Sequence, residues 1–179
     1  MKYKLTEETK VVLGRTLYRI VCVTAFSSVS VGDFGGWVES EKNLSQNGHA
    51  WVYDNAEVFG DARVYDNAEV FGDGWVYDNA KVCDNAKVFG NAKAFGNAEV
   101  CGDANVCRLT DFMVLKNYWS SGRYFTYTAS NKMWKVGCFY GTGEELIKKA
   151  YKDSKLSGKC YEAAVKYVEE IERLKKEMN

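Results

Sequence analysis

Residues 53–82, YDNAEVFGDARVYDNAEVFGDGWVYDNAKV, state one six-residue phrase five times. Cut after each valine, the phrase runs from residue 47 to 106 as NGHAWV, YDNAEV, FGDARV, YDNAEV, FGDGWV, YDNAKV, CDNAKV, FGNAKA, FGNAEV and CGDANV. A period of six is neither helical nor a simple alternation, so it describes a repeated supersecondary unit. With the valine as position i, alanine stands at i+4 in every unit except at Gly74, and Gly or Asp fills i+2. Asn or Asp fills i+3 apart from His49. A short strand points Val inward, the Gly/Asp–Asn/Asp pair turns the chain tightly, and a small Ala fits the crowded corner. Three such sides close a triangular coil of about eighteen residues, and coils stack at about 4.8 Å.

This pattern resembles the hexapeptide repeat [LIV]-x-x-x-[STA]-x of left-handed parallel β-helices. The expected fold is therefore mainly β, a left-handed parallel β-helix over 47–107, with residues 1–46 as N-terminal strands and an irregular first coil. Leu44 and Gln46 fall in the alanine and valine phases of that first coil. GRTLYRIVCVTAF (14–26) reads as one or two strands covering the open end, which a solenoid needs to avoid edge-to-edge pairing.

From Cys107 the chain changes character. Residues 47–106 hold ten acids and four bases, whereas 107–179 hold nine acids and fourteen bases. The segment 108–179 reads as an α+β domain. Its strands are expected at Phe112–Leu115, Tyr124–Thr128 and Met133–Phe139. A T-x-x-E capping box at Thr142 opens one helix, and a second runs from about Ser157 to Glu177. The second helix has an apolar stripe of Tyr161, Ala164, Val168, Ile171 and Leu174.

A stacking period of eighteen predicts outward ladders. Phe59, Tyr77 and Phe95 form one, Tyr53, Phe71 and Phe89 another, and Tyr65, Cys83 and Cys101 the third, with Trp51 and Trp75 beside them at i−1. Contiguous exposed aromatics of this kind suit a subunit or partner surface. Arg123 and Lys135, on neighbouring strands, are candidates to bind a phosphate-bearing ligand such as a nucleotide. The repeated acids read as turn residues, since most stack over Asn or Gly.

Charge and composition exclude several classes. Lys plus Arg equals Asp plus Glu at 24 each, so no global charge calls for nucleic acid or a membrane. No apolar run approaches a membrane span and no signal peptide is read, so a reducing cytoplasmic setting is expected. Six scattered cysteines without a C-x-x-C pair, and one histidine, offer neither a zinc site nor a disulfide framework. Cys83 and Cys101 are expected to stand one above the other as outward thiols.

Many hexapeptide-repeat proteins are acyltransferases, with acyl-CoA in a groove between subunits and a histidine as general base. Those enzymes usually interrupt their coils with a loop; here the coils of 47–106 are uninterrupted, and the lone His49 sits in a turn slot. A second resemblance covers almost the whole chain. GGWVESEKNLS (35–45), the YDNA coils and GCFYGTGEE (137–145) are similar to a family of small bacteriophage and prophage proteins described as polymer-forming or β-helical. That resemblance implies a phage-like setting and brings no catalytic residues. The resulting expectation is a non-enzymatic, cofactor-free homo-oligomer, dimer or trimer, in the cytoplasm of an infected bacterium. It would bind and inhibit a host protein, such as a defence enzyme, or sequester its nucleotide signal. The alternatives are an acyltransferase-like enzyme using His49, and a structural virion component.

Overall fold

The computed structural model describes residues 1–177. The chain opens with an antiparallel hairpin of β1 (Tyr3–Val12) and β2 (Arg15–Cys22), turned at Leu13 and Gly14, both at positive φ. Strand β2 pairs antiparallel with β3 (Phe34–Val38), and there the winding starts. Ten two-residue strands follow at intervals of six: β4 (Trp51–Val52), β5 (Glu57–Val58), β6 (Arg63–Val64), β7 (Glu69–Val70), β8 (Trp75–Val76), β9 (Lys81–Val82), β10 (Lys87–Val88), β11 (Lys93–Ala94), β12 (Glu99–Val100) and β13 (Asn105–Val106). They stack in parallel as three faces. The first is β3-β5-β8-β11, the second β4-β7-β10-β13, and the third β6-β9-β12. The repeat is thus a β-solenoid, and the predicted valine ladders are its interior: Val58, Val76 and Ala94, like Val52, Val70, Val88 and Val106, are fully buried.

The turn chemistry is uniform. All ten i+2 positions adopt positive φ: Gly48, Asp54, Gly60, Asp66, Gly72, Asp78, Asp84, Gly90, Gly96 and Gly102. Left-handed backbone costs most L-residues about 1–2 kcal/mol, and glycine and aspartate are among the few that tolerate it, which is why these two types fill the slot in all ten units. The aspartates add a second contact. Asp54, Asp78 and Asp84 each accept a bond from the glycine N–H one coil on, at 3.2, 3.1 and 2.9 Å.

The first coil departs from the expected phase. Leu44 bridges Val64 and is buried, so it occupies a valine slot, not an alanine slot. Val38 pairs with Val58 and Leu44 with Val64, twenty residues on, whereas Val52 pairs with Val70, eighteen on. Two extra residues therefore lie between Leu44 and Val52, and the solenoid has about four turns. Gln46 is freed by this insertion to bond strand β1. Its Oε1 accepts from Lys2 N at 2.8 Å, and its Nε2 donates to Tyr3 O at 3.1 Å. The Gly35–Gly36 pair permits close winding here, because an added Cβ would come within 2.6 Å of Val52 O or Ala56 O.

Both ends are closed with matched polarity. At the first coil the side chains donate: Lys2 Nζ to Ala50 O at 2.7 Å and Tyr3 OH to Leu44 O at 2.7 Å. At the last coil they accept: Thr126 Oγ1 from Glu99 N, Ser130 Oγ from Asn105 N, and Asp111 Oδ2 from Cys107 N, at 2.9, 2.8 and 2.9 Å. Buried backbone groups left unpaired would cost about 1–3 kcal/mol each.

The acceptors of the last coil come from a four-stranded antiparallel sheet and the turns at its edges. Thr126 lies in the sheet, Asp111 just before it and Ser130 in one of its turns, and its strands are β14 (Phe112–Lys116), β15 (Tyr124–Thr128), β16 (Met133–Val136) and β17 (Phe139–Gly141). The expected third strand is thus two, because Gly137 turns at φ 57°. Helix α1 (Gly143–Asp153) starts at the Thr142 capping box, and α2 spans Lys155–Glu177. Both helices cover one face of the sheet around Phe125, Trp134, Leu146 and Tyr161. On α2 the buried stripe includes Val165, while Leu174 of the expected stripe is exposed.

Candidate functional site

The outward ladders form as stacked rings. Phe59–Tyr77 and Tyr77–Phe95 stand 5.2 and 5.4 Å apart, and Phe71–Phe89 4.9 Å, all within 10° of parallel. Their exposure differs from expectation. Trp51 is 1% exposed, shut in by Tyr3 and Phe26, and Phe59 is 3% exposed, covered by Leu17 and Trp37. The N-terminal segment thus closes over Trp51 at the start of the second face and over Phe59 beside the first, so neither ring is open to a partner. Tyr53, Phe71, Trp75, Tyr77 and Phe89 are half-buried, and Phe95 is exposed at its rim.

The third ladder requires a larger correction. Cys83 and Cys101 are joined as a disulfide across adjacent coils, with Cα atoms 4.8 Å apart, and both are buried. Their vertical placement follows from the period of eighteen. Their burial does not, because Tyr140 of β17 covers them, its hydroxyl donating to Cys101 O at 3.3 Å. Asp84 stands beside the pair, its Oδ2 3.9 Å from Cys83 Sγ.

Two clefts open on the third face, on either side of Lys81. The first, about 470 Å³, lies between the turn at Glu41–Leu44 and the residues Arg63, Tyr65 and Lys81. Arg63 is exposed and has no ion pair among the described residues, while Lys42 at the rim pairs with Asp61 at 3.1 Å. Burial pushes the Tyr65 phenol up, and the Glu99 carboxylate adds to the effect. The second cleft, about 500 Å³, is bounded by Asn79, Lys81, Asn97 and Glu99 on the solenoid and by Arg123 and Tyr124 on the C-terminal sheet. Arg123 is therefore partnered across the cleft by Lys81. Lys135, its expected companion, pairs opposite Thr126 on β16 and does not line the cleft.

His49 stands at the corner after the two-residue insertion. Its N–H donates to Asp66 O at 2.6 Å, its ring stacks on Phe26 at 6.2 Å, and its ring nitrogens have no hydrogen-bond partner among the described residues. Beside it is a hollow of about 250 Å³ walled by Lys2, Phe26, Gln46 and Gly48. Gln46 also lines the first cleft, so the two spaces share a wall. Burial pulls the Lys2 ammonium down to about 8.

No protein-family model matches the chain. It is similar to the uncharacterized acetyltransferase YdcK of Escherichia coli K12, 35% identical over an alignment of 68 residues, and the match covers 33% of this chain. The chain spans 21% of that relative's length. The similarity and the solenoid agree on a hexapeptide-repeat β-helix. Because the relative is named as an enzyme, the expectation of a non-enzymatic protein is withdrawn. Among the described residues, no helix is long and apolar enough to cross a membrane.

Proposed function

We propose that the chain belongs to an acyl-transfer protein, moving an acetyl group from a thioester donor such as acetyl-CoA to an amine or hydroxyl. The observation that carries this reading is the 68-residue similarity to a protein named as an acetyltransferase, beside this chain's own hexapeptide-repeat solenoid. The first cleft is the place for the donor. Arg63, which has no ion pair among the described residues, faces a phosphate-bearing arm, and the third face accepts an extended chain along the coils. Arginine suits that role, because its fork matches phosphate oxygens in a bidentate way.

His49 is the group assigned to proton transfer. An unpartnered imidazole nitrogen accepts the proton of the attacking amine or hydroxyl as the new bond to the acyl carbon forms. The carbon–sulfur bond then breaks, and the thiolate takes that proton to leave as a thiol. The insertion after Leu44, next to His49, is a small counterpart of the coil-breaking loop that acyltransferases of this kind usually carry.

Calorimetric titration with acetyl-CoA, paired with a thiol-release assay, tests the proposal. We expect saturable binding that weakens by about tenfold in Arg63→Ala, in line with loss of one charge-assisted phosphate contact. His49→Ala should keep binding and lose thiol release. Absence of acetyl-CoA binding to the folded wild-type protein would rule the reading out.

The expected homo-oligomer belongs to the same proposal. With Trp51 and Phe59 covered, a second copy would dock on the second face through Phe71 and Phe89. Light scattering of a Phe71→Asp/Phe89→Asp variant should then report a monomer, and an unchanged mass would exclude that face.

A further inference from the structure

The second cleft is not used by the acyl-transfer reading and stands independently of it. It lies where the third solenoid face meets the C-terminal sheet, and its walls have unequal charge. Lys81 is already paired with Glu99 at 2.9 Å. Arg123 has neither an ion pair nor a side-chain hydrogen bond among the described residues, so the cleft keeps one uncompensated guanidinium. Opposite it stand Asn79 and Asn97, eighteen residues apart on one corner of successive coils.

Those two asparagines lack a bridge that several of their counterparts make. At other corners the stacked residues bridge the coils: Asn55 to Asp73 at 3.4 Å, Asn67 to Asn85 at 3.2 Å, and Asn85 to Asp103 at 3.1 Å. Among the described residues Asn79 and Asn97, like Asn91, make no such bridge, and the carboxamides of Asn79 and Asn97 keep donors and acceptors for a ligand at the cleft wall. Tyr124, 43% exposed, supplies an aromatic flank. Gly137 leaves room beside Arg123, since a Cβ there would stand 3.4 Å from its guanidinium.

We infer that this cleft binds a phosphorylated sugar. Paired carboxamides suit vicinal hydroxyls, which both donate and accept. The face of a single tyrosine suits the C–H surface of a sugar ring, and the fork of Arg123 suits the phosphate. A volume of about 500 Å³ is in the range of small-ligand sites. A nucleotide base would want a second aromatic face, and among the described residues Tyr124 is the one aromatic that lines the cleft.

The test is calorimetry of the full chain with glucose 1-phosphate, glucose 6-phosphate and glucosamine 6-phosphate, beside glucose and inorganic phosphate as part-ligands. We expect one-to-one binding of at least one phosphosugar, about tenfold tighter than either part-ligand, which is one good contact's worth. Arg123→Gln should weaken it by about tenfold or more, Asn97→Ala by a smaller factor, and Lys135→Gln, outside the cleft, should leave it unchanged. Arg123 and Asn97 lie at the surface, so circular dichroism of both variants checks that the fold is kept. No binding of any of the three phosphosugars overturns the inference, as does binding that survives Arg123→Gln. Inorganic phosphate binding as tightly as the phosphosugars overturns the sugar assignment.

Discussion

The left-handed i+2 position is where a single residue has the most influence on this fold. Gly96 isolates the effect, since its φ is 65° and a Cβ added there would meet nothing within 4 Å. Gly96→Val should therefore destabilise the protein by about 2 kcal/mol through backbone strain alone, and Gly96→Asn by much less. Urea denaturation of the two variants makes the comparison. Lys2 offers a second residue-scale test. Burial lowers its folded-state pKa to about 8 from 10.5. Between those values the unfolded chain binds more protons than the folded one, so unfolding free energy rises with pH there. Stability measured from pH 8 to 9.5 should climb in the wild type relative to Lys2→Met, in which this contribution is missing. A parallel pH dependence in both proteins would contradict the assigned desolvation.

At the scale of elements, each coil depends on its neighbours, because a two-residue strand has no stability alone. The Cys83–Cys101 bond ties the third-face strands of two successive coils across a separation of 18 residues. A cross-link closing a loop of that length contributes about 3 kcal/mol, mainly by restricting the unfolded chain. Denaturation with and without reductant should differ by about that amount. The difference should vanish in a Cys83→Ala/Cys101→Ala variant. The capping contacts act at the same scale. Thr126→Val keeps shape but removes the acceptor for Glu99 N, and should cost about 1–3 kcal/mol. Faster hydrogen exchange at the last coil would locate that loss.

Across the whole molecule, two non-repetitive units close a repetitive one, and their placement decides which surfaces are usable. The hairpin covers the first face near its start, and the C-terminal sheet covers the third face near its end. What remains open is the second face, with Phe71 and Phe89, and the two clefts about Lys81. The net acidic repeat and net basic C-terminal segment meet at the second cleft, where Arg123 faces the acid-rich solenoid. Screening weakens exposed charge pairs. Phosphosugar binding there should accordingly weaken as salt is raised from 0.05 to 0.5 M, on the order of several-fold, whereas a purely apolar ligand would show the reverse or nothing.

Much of this architecture is local and therefore readable. Over residues 47–106, a period of six assigns every valine to the interior, and every i+2 Gly or Asp to a left-handed turn. The spacing of eighteen places Phe59 over Tyr77 and Cys83 over Cys101, and Thr142 with Glu145 marks the start of α1. The first coil was legible only in part, since the insertion between Leu44 and Val52 breaks the register that carries the reading. The clefts were not legible. Arg123 and Lys81 are brought together by the docking of a sheet on a solenoid, and no spacing along the chain encodes that distance. The same holds for the burial of Trp51, Phe59 and the cysteine pair. Periodic local sterics and hydrophobic alternation determined the solenoid. The docking of its two ends, a matter of contacts between residues far apart in the chain, decided which side chains are covered and which line an open cleft.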